Sequence, residues 1–214
     1  THCTSSAASD VYKRQAGGLV GEVIQVWRPR ELNTHETEWG FSCMSYEISG
    51  ALGIKMANPD KEVISFVGDG SYLLNNTDIY SSVITNNKLI IIVCDNGGFA
   101  VINRLQLFKG GNEYNNLLKS SNTPGLVDID FAKHAESMGA KSEHVSSISD
   151  LEEAFKRAKK SKVTYVISIK THAYQWLEGS AFWDSPTLEV PTTKENKEAL
   201  RLYKEGKSKQ RQGV

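Results

Sequence analysis

The sequence predicts an α/β fold built as a three-layer, doubly wound parallel sheet. Three observations carry this reading. Short, continuously apolar runs occupy residues 63–67, 89–94 and 163–169, helix-patterned stretches lie between and around them, and glycine-bearing polar turns follow the first two runs directly. An apolar run without alternation suits a strand covered on both faces, as in parallel sheets. Strands alternating with helices imply right-handed βαβ crossovers.

Residues 1–15 are rich in Ser, Thr and Ala without apolar periodicity, and are expected to be a disordered leader or scar. Leu19, Val23 and Val26 then recur at helical spacing, with a stop before Pro29. Residues 30–43 read as a polar loop. Residues 44–57 read as a helix with Ile48, Leu52 and Met56 on one face and small residues between them. Asn58-Pro59-Asp60 is a turn. The first apolar run ends in Gly68-Asp69-Gly70, and a helix carrying Ile79, Tyr80, Val83 and Ile84 follows over residues 77–86. After the second run, residues 95–124 read as a long polar loop, long enough over 104–123 to act as a lid.

Asp130 is placed to cap a helix with Phe131, Ala135 and Met138 inward and Gly139 as its stop. Ser149 and Glu152 have capping-box spacing ahead of Leu151, Ala154, Phe155 and Ala158. The expected domain spans residues 16–191, with a charged helical tail over 192–214.

The bulk numbers remove several function classes. Lys+Arg and Asp+Glu both total 25 in a chain of 214 residues, so the formal charge is zero and nothing suggests a nucleic-acid surface. The longest apolar run, residues 89–94, is too short to cross a bilayer, so no membrane partner is expected. Without a basic-then-apolar leader the expected compartment is the cytoplasm. Cys3, Cys43 and Cys94 are odd in number and lack CxxC spacing, which argues against a disulfide framework and a zinc site. Cys94 reads as a small buried hydrophobe.

In open parallel sheets, ligands bind beyond the carboxyl ends of the strands. Gly68-Asp69-Gly70 and Asp95-Asn96-Gly97-Gly98 both fall there, so Asp69 and Asn96 are expected to converge. Their chemistry suits Mg²⁺ on a diphosphate: one carboxylate and one amide carbonyl, completed by a backbone carbonyl near Gly98, with phosphate oxygens filling the octahedron. Gly68 and Gly70 let the backbone approach an anion, the following helix offers N–H groups, and the Ser71 hydroxyl can donate to a phosphate oxygen.

Gly68-Asp69-Gly70-Ser71 followed by Asn96 resembles the signature of thiamine diphosphate enzymes of the acetohydroxyacid synthase and pyruvate decarboxylase superfamily. The resemblance runs over about residues 16–183. It implies a thiamine diphosphate-binding fold that holds thiamine diphosphate and Mg²⁺, with Asp69, Asn96 and Gly98 on the metal. It also implies that Ser42, Cys43, Met44, Gly68, Asp69, Gly70, Ser71, Asn96, Gly98 and Phe99 contact the cofactor, Met44 as the bulky apolar prop of its V shape. The run from Glu38 to Ile48, with His35, Gly68 to Leu73 and Phe182-Trp183-Asp184-Ser185-Pro186, is similar to the ring-opening dione hydrolases of myo-inositol catabolism. Ser-Cys-Met and Tyr-Glu depart there from the Gly-Thr-Met-Gly and Leu-Pro usual in acetohydroxyacid synthases.

That narrower likeness implies C–C cleavage of a small cyclic trihydroxy dione to 5-deoxyglucuronate. An acetohydroxyacid synthase-like carboligase or decarboxylase, or a non-catalytic diphosphate-binding fragment, is the alternative. The activating glutamate of the superfamily lies on a separate pyrimidine-binding domain, so the chain is expected to be the C-terminal part of a longer enzyme, inactive alone, in a homodimer or homotetramer. His35, in the loop before the cofactor-gripping segment, could contact substrate, though a solvated loop histidine is the plainer reading, and His172 follows the third strand at the ligand edge. Trp176 and Trp183 read as packing, and Glu47 as a surface residue.

Overall fold

The three apolar runs form strands because each can bury both of its faces. In a computed structural model, residues 11–15, 18–29, 31–32, 34–38, 43–123, 125, 127–177 and 187–210 are described. The order is β1 (Val11–Gln15), α1 (Gly18–Val26), β2 (His35–Glu38), α2 (Tyr46–Ala57), β3 (Val63–Gly68), α3 (Asp69–Leu74), α4 (Thr77–Ile84) and β4 (Ile90–Asp95). There follow α5 (Ala100–Phe108), a 3-10 turn (Leu118–Ser120), α6 (Phe131–Ser137), β5 (Lys141–Val145), α7 (Ile148–Lys160), β6 (Tyr165–Lys170) and α8 (Lys194–Ser208).

The strands form one sheet in the order β2-β1-β3-β4-β6-β5, and every neighbouring pair is parallel. Two cores cover it. Val63, Val67, Leu89, Ile91, Val93 and Val166 pack on one face with Ile48 and Leu52 of α2, Ile79 of α4 and Phe131 of α6. Ile64, Ile90, Ile92, Cys94, Ile167 and Ile169 pack on the other with Leu19 of α1 and Ala154 and Ala158 of α7. Alternate residues of β4 therefore serve opposite cores, which is why it reads as an unbroken apolar run. The α/β class and helices on both faces follow from the sequence as read.

The residues divide into two compact units. One holds residues up to 96 with 128–173, and so the sheet and most helices. The other holds 97–127 with 174–214, including α5 and α8.

Several elements differ from the sequence reading. Val11–Gln15, expected to lie outside the fold, forms β1 and pairs with both β2 and β3. Residues 30–43 hold β2, and residues 95–124 hold α5. β5 was not expected, because this edge strand buries Val145 alone and carries Lys, Ser, Glu and His otherwise. The cap of α7 is Ser147 rather than Ser149: its hydroxyl accepts the Asp150 N–H at 3.0 Å. Asp130 caps α6 as anticipated, accepting the Lys133 N–H.

Candidate functional site

The site grows from the register of β3 and β4. Gly68 stands opposite Cys94 at their carboxyl ends, so Asp69 begins α3 beside the end of β4 and Asn96 leaves that strand one residue beyond its last, Asp95. Neighbouring strands lie roughly 4.8 Å apart. Both side chains therefore start from the same edge of the sheet, on adjacent strands. Asp69 is 4 % exposed, and Gly70, Ser71 and Tyr72 behind it are buried. Asn96 is half-buried.

The first glycine turn is itself the opening of α3, a six-residue helix that the sequence reading merged into a turn. Tyr72 anchors it. Its ring is fully buried, meets Phe131 edge-on at 5.1 Å, and its hydroxyl pairs with His134 Nδ1 at 2.9 Å. Burial pushes the Tyr72 phenol well above its ordinary range.

In the second unit, the chain leaves Asn96 through Gly97 and Gly98, both at positive φ. Gly98, at φ 140°, lies against the chain opposite: a Cβ there would meet the Asn116 carbonyl oxygen at 2.3 Å. Phe99 donates its N–H to that same oxygen at 2.7 Å, and Leu118 donates to the Gly97 carbonyl at 2.9 Å. The 104–123 stretch, read as a possible lid, continues α5 to Phe108. It is held within its unit by Asn103 to Glu113, Asn116 to Gln106 and Asn196 to the Gly110 carbonyl. Trp176 lies under the Arg104 guanidinium at 4.0 Å.

Of the segment expected to grip the cofactor, Cys43 and Met44 are exposed, while Ser42 lies outside the described residues, as do Trp183 and its neighbours. Ser45 follows at φ 81° in the position just before α2, without a side-chain capping bond. Its N–H reaches across to the Ser71 Oγ at 3.2 Å. His35 opens the edge strand β2 instead of sitting in a loop, and His172 is exposed just beyond β6.

Two features escaped the sequence reading. Glu47, read as a surface residue, is 4 % exposed in the first turn of α2. Burial raises its carboxyl pKa above the ordinary 4.5, opposed by hydrogen bonds from its own and the Ser45 backbone N–H and from the Ser71 hydroxyl. Its Oε2 is buried with no hydrogen-bond partner. Only its place within the matched run hinted at more than a solvated helix position. The second feature is Lys170, at the end of β6, 2.7 Å from the buried Asp95 and 3.0 Å from Asp128. Burial pulls the Lys170 ammonium down, but the two carboxylates outweigh it and the net shift is upward. No sequence signal joins residues 95, 128 and 170; the strand pairing does.

Among the described residues, no group of three or more His, Cys, Asp or Glu is placed to hold a metal ion, and no helix is long and apolar enough to cross a membrane. One buried carboxylate and one amide at paired strand ends nevertheless fit Mg²⁺ that arrives with its own phosphate oxygens.

Known proteins resemble this chain in sequence and in fold. Residues 15–169 match the family model described as the thiamine pyrophosphate enzyme, C-terminal TPP binding domain. The chain is 37% identical over 188 residues to the 3D-(3,5/4)-trihydroxycyclohexane-1,2-dione hydrolase of Shouchella clausii, covering 87% of this chain and 29% of that protein. It is 38% identical over 174 residues to the Clostridium tetani protein of the same name, covering 78% and 27%. The chain thus spans under a third of the length of these relatives. Its backbone also superimposes, at TM-score 0.65 and 21% identity, on the Rhodococcus jostii thiamine diphosphate-dependent 4-hydroxybenzoylformate decarboxylase, covering 82% of this chain and 31% of that one. That likeness concerns the fold. The chain belongs to the thiamine pyrophosphate enzyme family and carries its C-terminal TPP-binding domain.

Proposed function

We propose that this chain is the cofactor-binding, C-terminal part of a thiamine diphosphate-dependent hydrolase that opens the ring of 3D-(3,5/4)-trihydroxycyclohexane-1,2-dione by C–C cleavage, yielding 5-deoxyglucuronate. The observation that carries it is the pair Asp69 and Asn96, set on adjacent strand ends by the Gly68–Cys94 register. The substrate rests on the names of the relatives and on the extent of the match.

In this reading Asp69, Asn96 and the Gly98 carbonyl would hold Mg²⁺, whose charge would offset that of the diphosphate. The residues from Gly68 to Ser71 would hold the diphosphate, and Cys43, Met44 and Phe99 would border the rest of the cofactor. When bound, thiamine diphosphate supplies the nucleophilic carbon that cleavage beside a carbonyl requires. The chain positions that group; buried Asp69 brings one negative charge to the metal, and the neutral Asn96 adds an oxygen without a second charge. The group that activates the aminopyrimidine comes from a pyrimidine-binding domain of the same or another subunit, in a homo-oligomer.

Calorimetry on the full-length polypeptide tests this. Thiamine diphosphate should give a Mg²⁺-dependent heat that disappears in Asp69→Ala, and the cyclic dione should be consumed. Equal binding without Mg²⁺ overturns the metal assignment. Turnover of 2-oxo acids with the dione untouched overturns the substrate.

A further inference from the structure

Glu47 is out of place by ordinary rules of burial. A carboxyl at 4 % exposure costs free energy unless its hydrogen bonds compensate, and here one oxygen has no partner. Its position in the first turn of α2 eases the cost through the helix dipole, but an uncharged residue there would carry no such cost. The side chain's contacts show what it holds.

A serine hydroxyl can accept from one group while donating to another. Ser71 accepts the Ser45 N–H at 3.2 Å and is bonded through its hydroxyl to the Glu47 carboxyl. The three groups form one small network: Ser45 N–H to Ser71 Oγ, Ser71 O–H to Glu47, and the Ser45 N–H also shared with the Glu47 carboxyl. Glu47 itself is fixed from below, since Ser65 in β3 donates its hydroxyl to the Glu47 carbonyl at 3.1 Å. A second tie runs in parallel, from Asn75 Nδ2 to Ser49 Oγ at 2.8 Å. Ser45 directly follows Met44, and Ser71 lies two residues after Asp69. The network therefore links the two segments that the proposed function assigns to opposite ends of one cofactor.

We infer that Glu47 is a positioning residue for cofactor binding: through Ser71 it locks the Cys43-Met44-Ser45 turn to the Asp69 turn, so that both are set before the cofactor arrives. This rests on the proposed function. The Glu47 carboxyl also engages the Ser71 hydroxyl, so Ser71 is placed to serve the diphosphate through its backbone.

The test is a double-mutant cycle on the full-length polypeptide, read as the thiamine diphosphate dissociation constant at saturating Mg²⁺ with the melting temperature of the cofactor-free protein alongside. Glu47→Ala should weaken binding by about tenfold, the usual scale for a residue that orients a ligand-contacting group. Glu47→Gln, which keeps a carbonyl to accept from Ser71, should stay within about threefold. In a Ser71→Ala background, Glu47→Ala should cost clearly less than it does alone, because the path through Ser71 is already cut. Should the alanine variant not fold, Glu47→Met fills similar volume without a strong acceptor and carries the same expectations. Wild-type affinity in Glu47→Ala overturns the inference whatever its melting temperature, and so does an equal loss in both backgrounds. If the wild type binds and Asp69→Ala does not, such a result removes the role of Glu47 alone. If the wild type fails to bind at all, the proposed function falls and this inference with it.

Discussion

Lys170 Nζ stands 2.7 Å from Asp95 Oδ2 where β6 and β4 end side by side, and it pairs with a buried carboxylate one residue before Asn96. The Thr171 N–H to Asp95 carbonyl bond, at 2.7 Å, continues the pairing past the strands. Lys170→Met should remove this ion pair from the buried Asp95 and cost about 1 kcal/mol of stability, since Lys170 is 54% exposed and solvent screens the pair. Adding Asp95→Asn should return part of that loss, since the two sites share one interaction. Chemical denaturation of Lys170→Met, Asp95→Asn and the double variant measures both; additive losses would show that the pair is not coupled.

Gly98 and Gly53 should respond in opposite directions to the same change. At Gly98 an alanine meets the Asn116 carbonyl at 2.3 Å in a backbone region that favours glycine, so Gly98→Ala should destabilise by at least ~1–3 kcal/mol. At Gly53, an exposed position inside α2, nothing lies within 4 Å of the added methyl. Gly53→Ala should stabilise by up to about 1 kcal/mol through helix propensity and a less disordered unfolded chain. Thermal unfolding of the two variants beside the wild type decides.

Glu47 makes stability depend on pH in a direction opposite to most carboxylates. Its pKa is raised in the folded chain, so folding favours its protonated form. Below the ordinary value of 4.5 both states are protonated and burial carries no penalty from this group. As pH rises from there through the folded pKa, the penalty grows and then levels off. Glu47→Gln should therefore gain on the wild type as pH climbs above 4.5 and match it more closely below. Denaturant midpoints taken across pH 4 to 8 test the sign; a constant difference would place the carboxyl in a solvated setting.

Asp69 and Asn96 should fail differently. Asp69→Asn keeps the shape and one oxygen but removes the charge, so Mg²⁺ should no longer strengthen thiamine diphosphate binding. Asn96→Ala removes a neutral oxygen that a water can replace in the octahedron, so the Mg²⁺ dependence should persist with affinity lower by about tenfold. Titrations with and without Mg²⁺ separate the two patterns.

The central strands were legible because both of their faces are apolar: residues 63–67, 89–94 and 163–169 each lie within or against β3, β4 and β6. The same rule hid β5, whose sequence Lys-Ser-Glu-His-Val presents mostly polar groups at the sheet edge. β1 was missed because Val-Tyr-Lys-Arg-Gln gives no alternation and follows a Ser-rich start. Asp69 and Asn96 could be paired from sequence since one crossover joins their strands. Glu47 could not, because a glutamate in a helix's first turn is ordinarily solvated, and only the fold brings Ser71, 24 residues on, to its carboxyl. Lys170 and Asp128 depend on a strand inserted between β4 and β5 out of chain order, which local pattern does not reveal.

The two-sided core also protects the site against misassembly. Along β4, Ile91 and Val93 serve one oily layer and Ile90, Ile92 and Cys94 the other. A one-residue slip would exchange the two sets and move Asn96 by roughly 3.3 Å relative to Asp69. The offset between the two polar turns is thus proofread by aliphatic side chains that never meet a ligand. Variation at Asp69 or Asn96 can alter what is bound while leaving the spacing intact, whereas a mismatched methyl group deep in the sheet can disturb the spacing with every polar residue still in place.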